Sequence, residues 1–301
     1  MKRRSPRRAW LAVALAAASV TASCSEEGDP VPSAAADDPG VAHVHGLGMG
    51  PGDDVLYAAT HFGLFAIPER GEATRIADRY QDTMAFTVDG PERFLASGHP
   101  DAQDEVLRKE GRPPHLGLIE SRDEGDSWKS ISLLGEADFH ALSVAGETIY
   151  GYDSTGDRLM VSGDGGRTWD TRSTGIGMRD VAVSPEGGDT VVGAMPAGLE
   201  RSVDGGRTFE PVPGAPPAAL VSWPSPTRLW AVEASGALHQ ADAPEGPWTA
   251  TGQVPGEPQA FFATDDLLAA AVTGPDGRTA IYVSRDGATT WSLRYREPAR
   301  S

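Results

Sequence analysis

The chain of 301 residues contains one cysteine, Cys24, so no disulfide can close within it and the fold must hold without one. Basic residues are scarce: 26 Lys and Arg stand against 43 Asp and Glu, a formal charge of −17. A surface that acidic repels a phosphate backbone, which excludes nucleic acid as a partner. No apolar run reaches the roughly 20 residues of a membrane-spanning helix, residues 9–20 (AWLAVALAAASV) being too short. Also missing is any amphipathic helical period sustained over a dozen residues.

What the chain does have is 36 glycines and 24 prolines, punctuating short apolar runs that alternate with turns. That is the pattern of an all-β chain. It also repeats. Residues 162–169 (SGDGGRTW) recur as 202–209 (SVDGGRTF), 121–128 (SRDEGDSW) and 284–291 (SRDGATTW), with a worn copy at 242–248 (DAPEGPW). The closing aromatics Trp128, Trp169, Phe209, Trp248 and Trp291 stand 41, 40, 39 and 43 residues apart, the period of propeller blades. Each copy reads as a hairpin corner, in which Asp accepts hydrogen bonds from following N–H groups and Gly supplies positive φ. Asp123, Asp164, Asp204 and Asp286 are therefore structural corner residues.

Aligning on the corners predicts a six-bladed antiparallel β-propeller over residues 41–296, roughly 43 residues per blade, and a short tail at 297–301. First strands are expected around Val44, Met84, Ala141, Val181, Ala219 and Ala260. Strands alternate in direction, so the corners share one face of the disc. The entries to the first strands and the loops between second and third strands share the other.

These motifs resemble the Asp-box, or BNR repeat, S-x-D-x-G-x-[ST]-[WF], of sialidase-like propellers. With HVHGL (43–47), ATHFGLF (59–65), SGHP (97–100) and DFHAL (138–142), the chain also resembles exported bacterial Asp-box propellers catalogued as glycosyl hydrolases or exo-sialidase-like proteins. That resemblance implies a glycoside hydrolase acting on an exported or surface glycan. A sialidase holds its substrate carboxylate with three arginines and uses a tyrosine nucleophile with a glutamate partner and an aspartate acid. Here the Arg-Ile-Pro motif is absent, and only Arg179 aligns to the channel mouth.

The first eight residues carry five positive charges and no acid, and with the apolar run behind them they read as an export signal. Residues 21–24 (TASC) look like the lipobox of bacterial lipoproteins, with Thr21 where Leu is usual. This implies a signal peptide over 1–23, lipidation of Cys24 and a membrane partner through that lipid. The mature protein would be a monomer at the outer face of the cytoplasmic membrane, or secreted. RRAWL (7–11) leaves the Sec and twin-arginine routes both open. Residues 25–40 are all acid, Ala, Ser, Pro, Gly and Val, so 24–40 is a lipidated, flexible tether.

Six of the seven histidines fall on the face without corners. His45, Met84, His140, Arg179, Ala218 and Gln259 align at one level of the first strands. His43, Asp82, Asp138, Gly177, Pro216 and Glu257 align two residues earlier. His61, His99 and Asp153 reach the same mouth from neighbouring loops, and His115 directly follows a charged insertion at 100–114 on that face. Three readings follow. A binding site for a glycan, a metal or an envelope protein would use His43, His45, His61, His99, His140, Arg179 and Gln259. A hydrolase would draw its acid and its base or nucleophile from Asp82, Asp138, Asp153 and Glu257, with Arg179 on the substrate. A transition metal would sit on His45, His61, His99 and His140, with Asp138 or His43 in support.

Overall fold

The computed structural model describes residues 38–50 and 54–299. The export signal, Cys24, nearly all of the tether and the last two residues lie outside the described residues. Twenty-four strands form six four-stranded antiparallel sheets. Within each sheet, spatial order follows sequence order. Apart from a one-turn 3-10 segment, Ile76–Asp78, there is no helix among the described residues. None is long and apolar enough to cross a membrane. The six-bladed propeller is thus the fold.

The first strands are Val44–Met49, Asp82–Val88, Phe139–Ala145, Asp180–Val183, Ala218–Ser225 and Glu257–Ala263. Each packs against the first strand of the next blade, and the last returns to the first. Second strands are nearly all buried, as in Leu56–Thr60 and Val191–Met195, because they are covered on both faces by neighbouring blades. This explains their Val/Leu/Ala content with no polar alternation.

The corner motifs form the outer hairpins. Ser121 Oγ donates to Asp123 Oδ1 (2.7 Å) and accepts from Gly125 N (2.8 Å), while the Asp123 carboxylate accepts from Ser127 N and Oγ (2.9 and 2.6 Å). The bonds repeat at Ser162/Asp164/Thr168, Ser202/Asp204/Thr208 and Ser284/Asp286/Thr290. All four aspartates are held below the usual carboxylate range by donors on the following turn, which stabilise the charged form. Their carboxylates are consumed in the corner. In the fourth copy Ala288 takes a φ of 70°, the left-handed position that glycine fills elsewhere.

Blade six is built entirely from the chain's last four strands and blade one from its first four, so no strand is exchanged to close the ring. Closure rests on packing and a few hydrogen bonds. Val44, Leu47, Phe65 and Ile67 of blade one share a core with Ala260, Ala269, Ala271 and Ile281 of blade six. Val44 N donates to Gln259 Oε1 (3.0 Å), and Gln259 Nε2 donates to Thr273 Oγ1 (2.9 Å). Arg294 donates to the Ile67 carbonyl. Similar clasps join other blades: Phe139 N to Ser97 Oγ (3.0 Å), Val183 N to Ser143 Oγ (2.9 Å) and Val221 N to Asp180 Oδ2 (2.9 Å).

Gln259→Ala is expected to leave the Val44 N–H without an acceptor at the seam, a loss of about 1–3 kcal/mol. Chemical denaturation should show a lower midpoint with an unchanged slope. An unchanged midpoint would remove Gln259 from ring closure.

Candidate functional site

The geometry of the mouth begins with a defect in pairing. In five blades the first and second strands slip by one residue near the channel end, leaving His45, Met84, His140, Ala219 and Gln259 as the extra residue of a β-bulge. A bulge bends its strand and re-aims the side chain. His45, Met84, His140 and Gln259 accordingly line a central channel of about 360 Å³, together with Arg179 of blade four, whose first two strands pair without a slip. In blade five the extra residue is Ala219 rather than Ala218, which is buried, so the sequence alignment was one residue out of step there.

Three further features bring partners to the bulges. Thr60, fully buried, accepts from Phe62 N (3.0 Å) and donates to the Gly63 carbonyl (2.9 Å), making a two-residue hairpin that presents His61. Gly98, at φ 130°, lies so close to Asp82 that any Cβ would collide with the Asp82 carbonyl and Met84 N. That glycine lets His99 face Asp82 across the bulge. Phe139, wholly buried, sets Asp138 and His140 on either side of itself.

The result is a continuous chain of imidazoles and carboxylates over blades one to three. His45 Nε2 lies 3.2 Å from His61 Nδ1, which lies 2.9 Å from Asp82 Oδ1; His45 Nε2 is 3.9 Å from the same oxygen. Asp82 Oδ2 is 3.1 Å from His99 Nδ1, and His99 Nε2 is 3.5 Å from Asp138 Oδ2. His140 Nε2 meets that oxygen at 3.0 Å. His43 is exposed and lies against His61, with ring centres 5.6 Å apart.

Sequence reasoning expected four histidines around one point. The structure instead divides them: His45 and His61 gather with Asp82, while His99 gathers with Asp138 and His115, the ligand atoms of each trio lying within 4.8 Å of one another. His115 was not among the residues assigned to the site, because its insertion has no counterpart in the other blades. The remaining candidates stand apart. Asp153 is buried and spent, its Oδ1 accepting from Asp138 N (3.0 Å) and its Oδ2 from Arg158 Nε (2.7 Å). Glu257 is exposed on blade six, outside the network, and Gln259 is occupied at the seam. Arg179 lines the channel and its side chain makes no hydrogen bond or ion pair among the described residues.

Charge within the chain is uneven. Burial, helped by His61 and His43, pushes His45 down to about 3, so its imidazole is neutral. His43 is lowered for the same reasons, burial first and then His61. His99 moves the other way, raised to about 10 by Asp138 and Asp82, and is an imidazolium between two carboxylates. Burial alone would raise Asp82 and Asp138. Hydrogen bonds from the histidines outweigh it: His99 and His61 hold Asp82 below the usual carboxylate range, and His140 and His99 hold Asp138 well below it. Asp180, on the channel wall, is pushed up to about 7 by burial against the two backbone N–H groups it accepts.

No family model matches the chain, so its likeness to sialidase-like propellers remains a resemblance of motifs. A protein of Neosartorya fischeri, described as a probable oligoxyloglucan-reducing end-specific xyloglucanase, is 33% identical over 195 residues, covering 44% of this chain and 24% of that one. Among solved structures, the GH74 xyloglucanase of Xanthomonas campestris is similar at 18% identity and a TM-score of 0.54, covering 84% of this chain and 45% of the enzyme. A chain of a nidogen/laminin complex is similar at 14% identity and a TM-score of 0.58, covering 77% and 89%. This protein spans less than half the length of either xyloglucanase. Neighbours so different in role establish the propeller and leave the chemistry to the site.

A histidine whose pKa rises on folding stabilises the native state fully below its ordinary value of 6.5 and loses that contribution as pH rises through the folded value. Melting of the metal-free protein between pH 6.5 and 9.5 should therefore show stability falling with pH, and His99→Gln should flatten that slope. An identical slope in the variant would show that His99 is not the proton-holding group.

Proposed function

We propose that this propeller binds a transition metal at its channel mouth, with His45, His61 and Asp82 as ligands, and that it does so outside the cytoplasmic membrane on a lipid carried by Cys24. The observation that carries the metal reading is the convergence of His45 Nε2, His61 Nδ1 and Asp82 Oδ1 at 3.2, 2.9 and 3.9 Å from one another. Three polar atoms that close satisfy one another poorly, because His61 Nδ1 carries at most one proton and so cannot serve both as donor to Asp82 Oδ1 and as acceptor from His45 Nε2. Ligands at about 2.0 Å from a tetrahedral ion lie about 3.3 Å apart, the spacing found here. His45 is neutral, so its lone pair is available, and two imidazoles with one carboxylate suit zinc or ferrous iron. Three protein ligands leave a position open for water or an exogenous ligand. The basic n-region, short apolar run and TASC sequence support export and anchoring.

A second reading, glycoside hydrolysis, is favoured by the stretch 33% identical to the xyloglucanase. It needs a carboxylic acid that keeps its proton near neutral pH beside a charged carboxylate. Asp82 and Asp138 are both held below the usual carboxylate range, and Asp153 is locked to Arg158. None of these three supplies that acid, and Asp180, the raised carboxyl of the channel wall, has both oxygens engaged by Val181 N and Val221 N, so the metal reading takes precedence.

Untagged full-length protein titrated with Zn²⁺ should bind it, and His45→Ala with His61→Ala should weaken binding by more than about a hundredfold. Absence of bound zinc, iron or copper after dialysis would overturn the reading, and turnover of xyloglucan oligosaccharides would replace it with the second.

A further inference from the structure

Two features beside the first trio are left unused by it. Asp138 is 4% exposed, and its Oδ1 is buried without a hydrogen-bond partner among the described residues. A buried carboxylate oxygen with no donor carries its full desolvation cost. The other feature is His115, whose ring makes no hydrogen bond among the described residues although its loop is firmly built. Leu116 N donates to the Gly98 carbonyl (2.8 Å) and Gly135 N to the His115 carbonyl (2.8 Å), pinning the backbone on both sides. Farther back in the insertion, Leu107 and Leu116 are buried in the core of blade two, Asp101 accepts from Tyr80 N (2.7 Å), and Asp104 pairs with Arg79. A loop so anchored is not a solvated excursion. It delivers an imidazole with both nitrogens unspent to within 4.8 Å of a ligand atom on Asp138 and one on His99.

We propose that the mouth holds a second transition metal ion, on His99, His115 and Asp138, and that Asp82 joins the two centres. This rests on the first metal reading and extends it to a two-metal site. Asp82 turns Oδ1 to His45 and His61 and Oδ2 to His99 Nδ1. Asp82 accepts the Nδ1 proton and so fixes the His99 ring with Nε2 facing Asp138; an ion bound there displaces the Nε2 proton to solvent, which gives the carboxylate–histidine–metal arrangement by which an outer carboxylate orients a ligand. The same carboxylate thus serves as ligand to one ion and as positioning residue for the other. His140, on Asp138 Oδ2, orients that ligand from the opposite side. The second ion takes one carboxylate oxygen of Asp138, whose ligand atom lies within 4.8 Å of those of His99 and His115.

The test is metal stoichiometry in untagged full-length protein after equilibration with Zn²⁺ alone and dialysis. Wild type should carry two zinc ions per chain. His115→Ala should carry one, the retained ion showing that the variant is folded with its first centre intact, and Asp82→Asn should weaken both. One ion per chain in wild type, unchanged by His115→Ala, would overturn the second centre and leave the first standing. Two ions in both proteins would place the second ion elsewhere and also overturn the assignment. No ion in wild type would remove the metal reading itself.

Discussion

The structure depends on how each innermost strand satisfies its unpaired edge. The first strand of a blade hydrogen-bonds to its second strand only, and its other edge faces a neighbouring blade with N–H groups that have no ladder to join. Side chains fill part of that need: Ser97, Ser143, Asp180 and Gln259 each accept one N–H from the blade that follows. The demand sorts the channel residues into two kinds. Those that clasp are spent on the fold, and those lifted clear by a bulge remain free for a ligand. Gln259 is a bulge residue that is also a clasp, so it lines the channel yet has nothing left to offer. Asp180 is the ionisable example, since burial raises it even though its two backbone donors pull it down, and both its oxygens are engaged by those donors.

Electrostatics within the mouth follow from the order of its groups. His45 has imidazoles as its nearest polar neighbours and is half-buried, so both effects disfavour charge. His99 lies between two carboxylates, and their attraction outweighs burial. Neutral and charged imidazoles can therefore coexist a few ångströms apart, with Asp82 as the hinge between them. The same order weakens the case for sugar hydrolysis. A carboxyl ringed by imidazole donors loses its proton, whereas a general acid must keep one.

Blade boundaries were legible because two periodicities agree, the corner motif and the short apolar strands between turns. First strands expected around Val44, Met84 and Ala141 run over Val44–Met49, Asp82–Val88 and Phe139–Ala145. The site lies at strand ends, since Asp82 opens the strand Asp82–Val88 while His99 and Asp153 close the strands Phe94–His99 and Thr148–Asp153. Gathering the histidines on one face needed only strand alternation. Pairing them needed the bulges, and a bulge leaves little trace when its extra residue is apolar, as the slip between Ala218 and Ala219 shows. His115 was hidden for another reason, because an insertion has no counterpart from which its position can be read. The two-residue turn at His61 and the glycine before His99 carried a readable signal. Thr-His-Phe-Gly and Ser-Gly-His place an imidazole beside a position where only glycine fits.

The seam of the ring bears on the site directly. Val44 lies between His43 and His45, and its N–H is the one held by Gln259 of blade six. The register of the HVH segment is thus set by the last blade of the chain, 215 residues away. Because closure uses side-chain clasps and packing instead of an exchanged strand, blade one is secured to the ring less firmly than it would be by a shared ladder. A first strand that shifted at the seam would carry His45 away from His61 and Asp82, which are fixed from other strands. Ring closure and assembly of the His45–His61–Asp82 trio are therefore one event, and a folded but open ring would present the imidazoles without bringing them together.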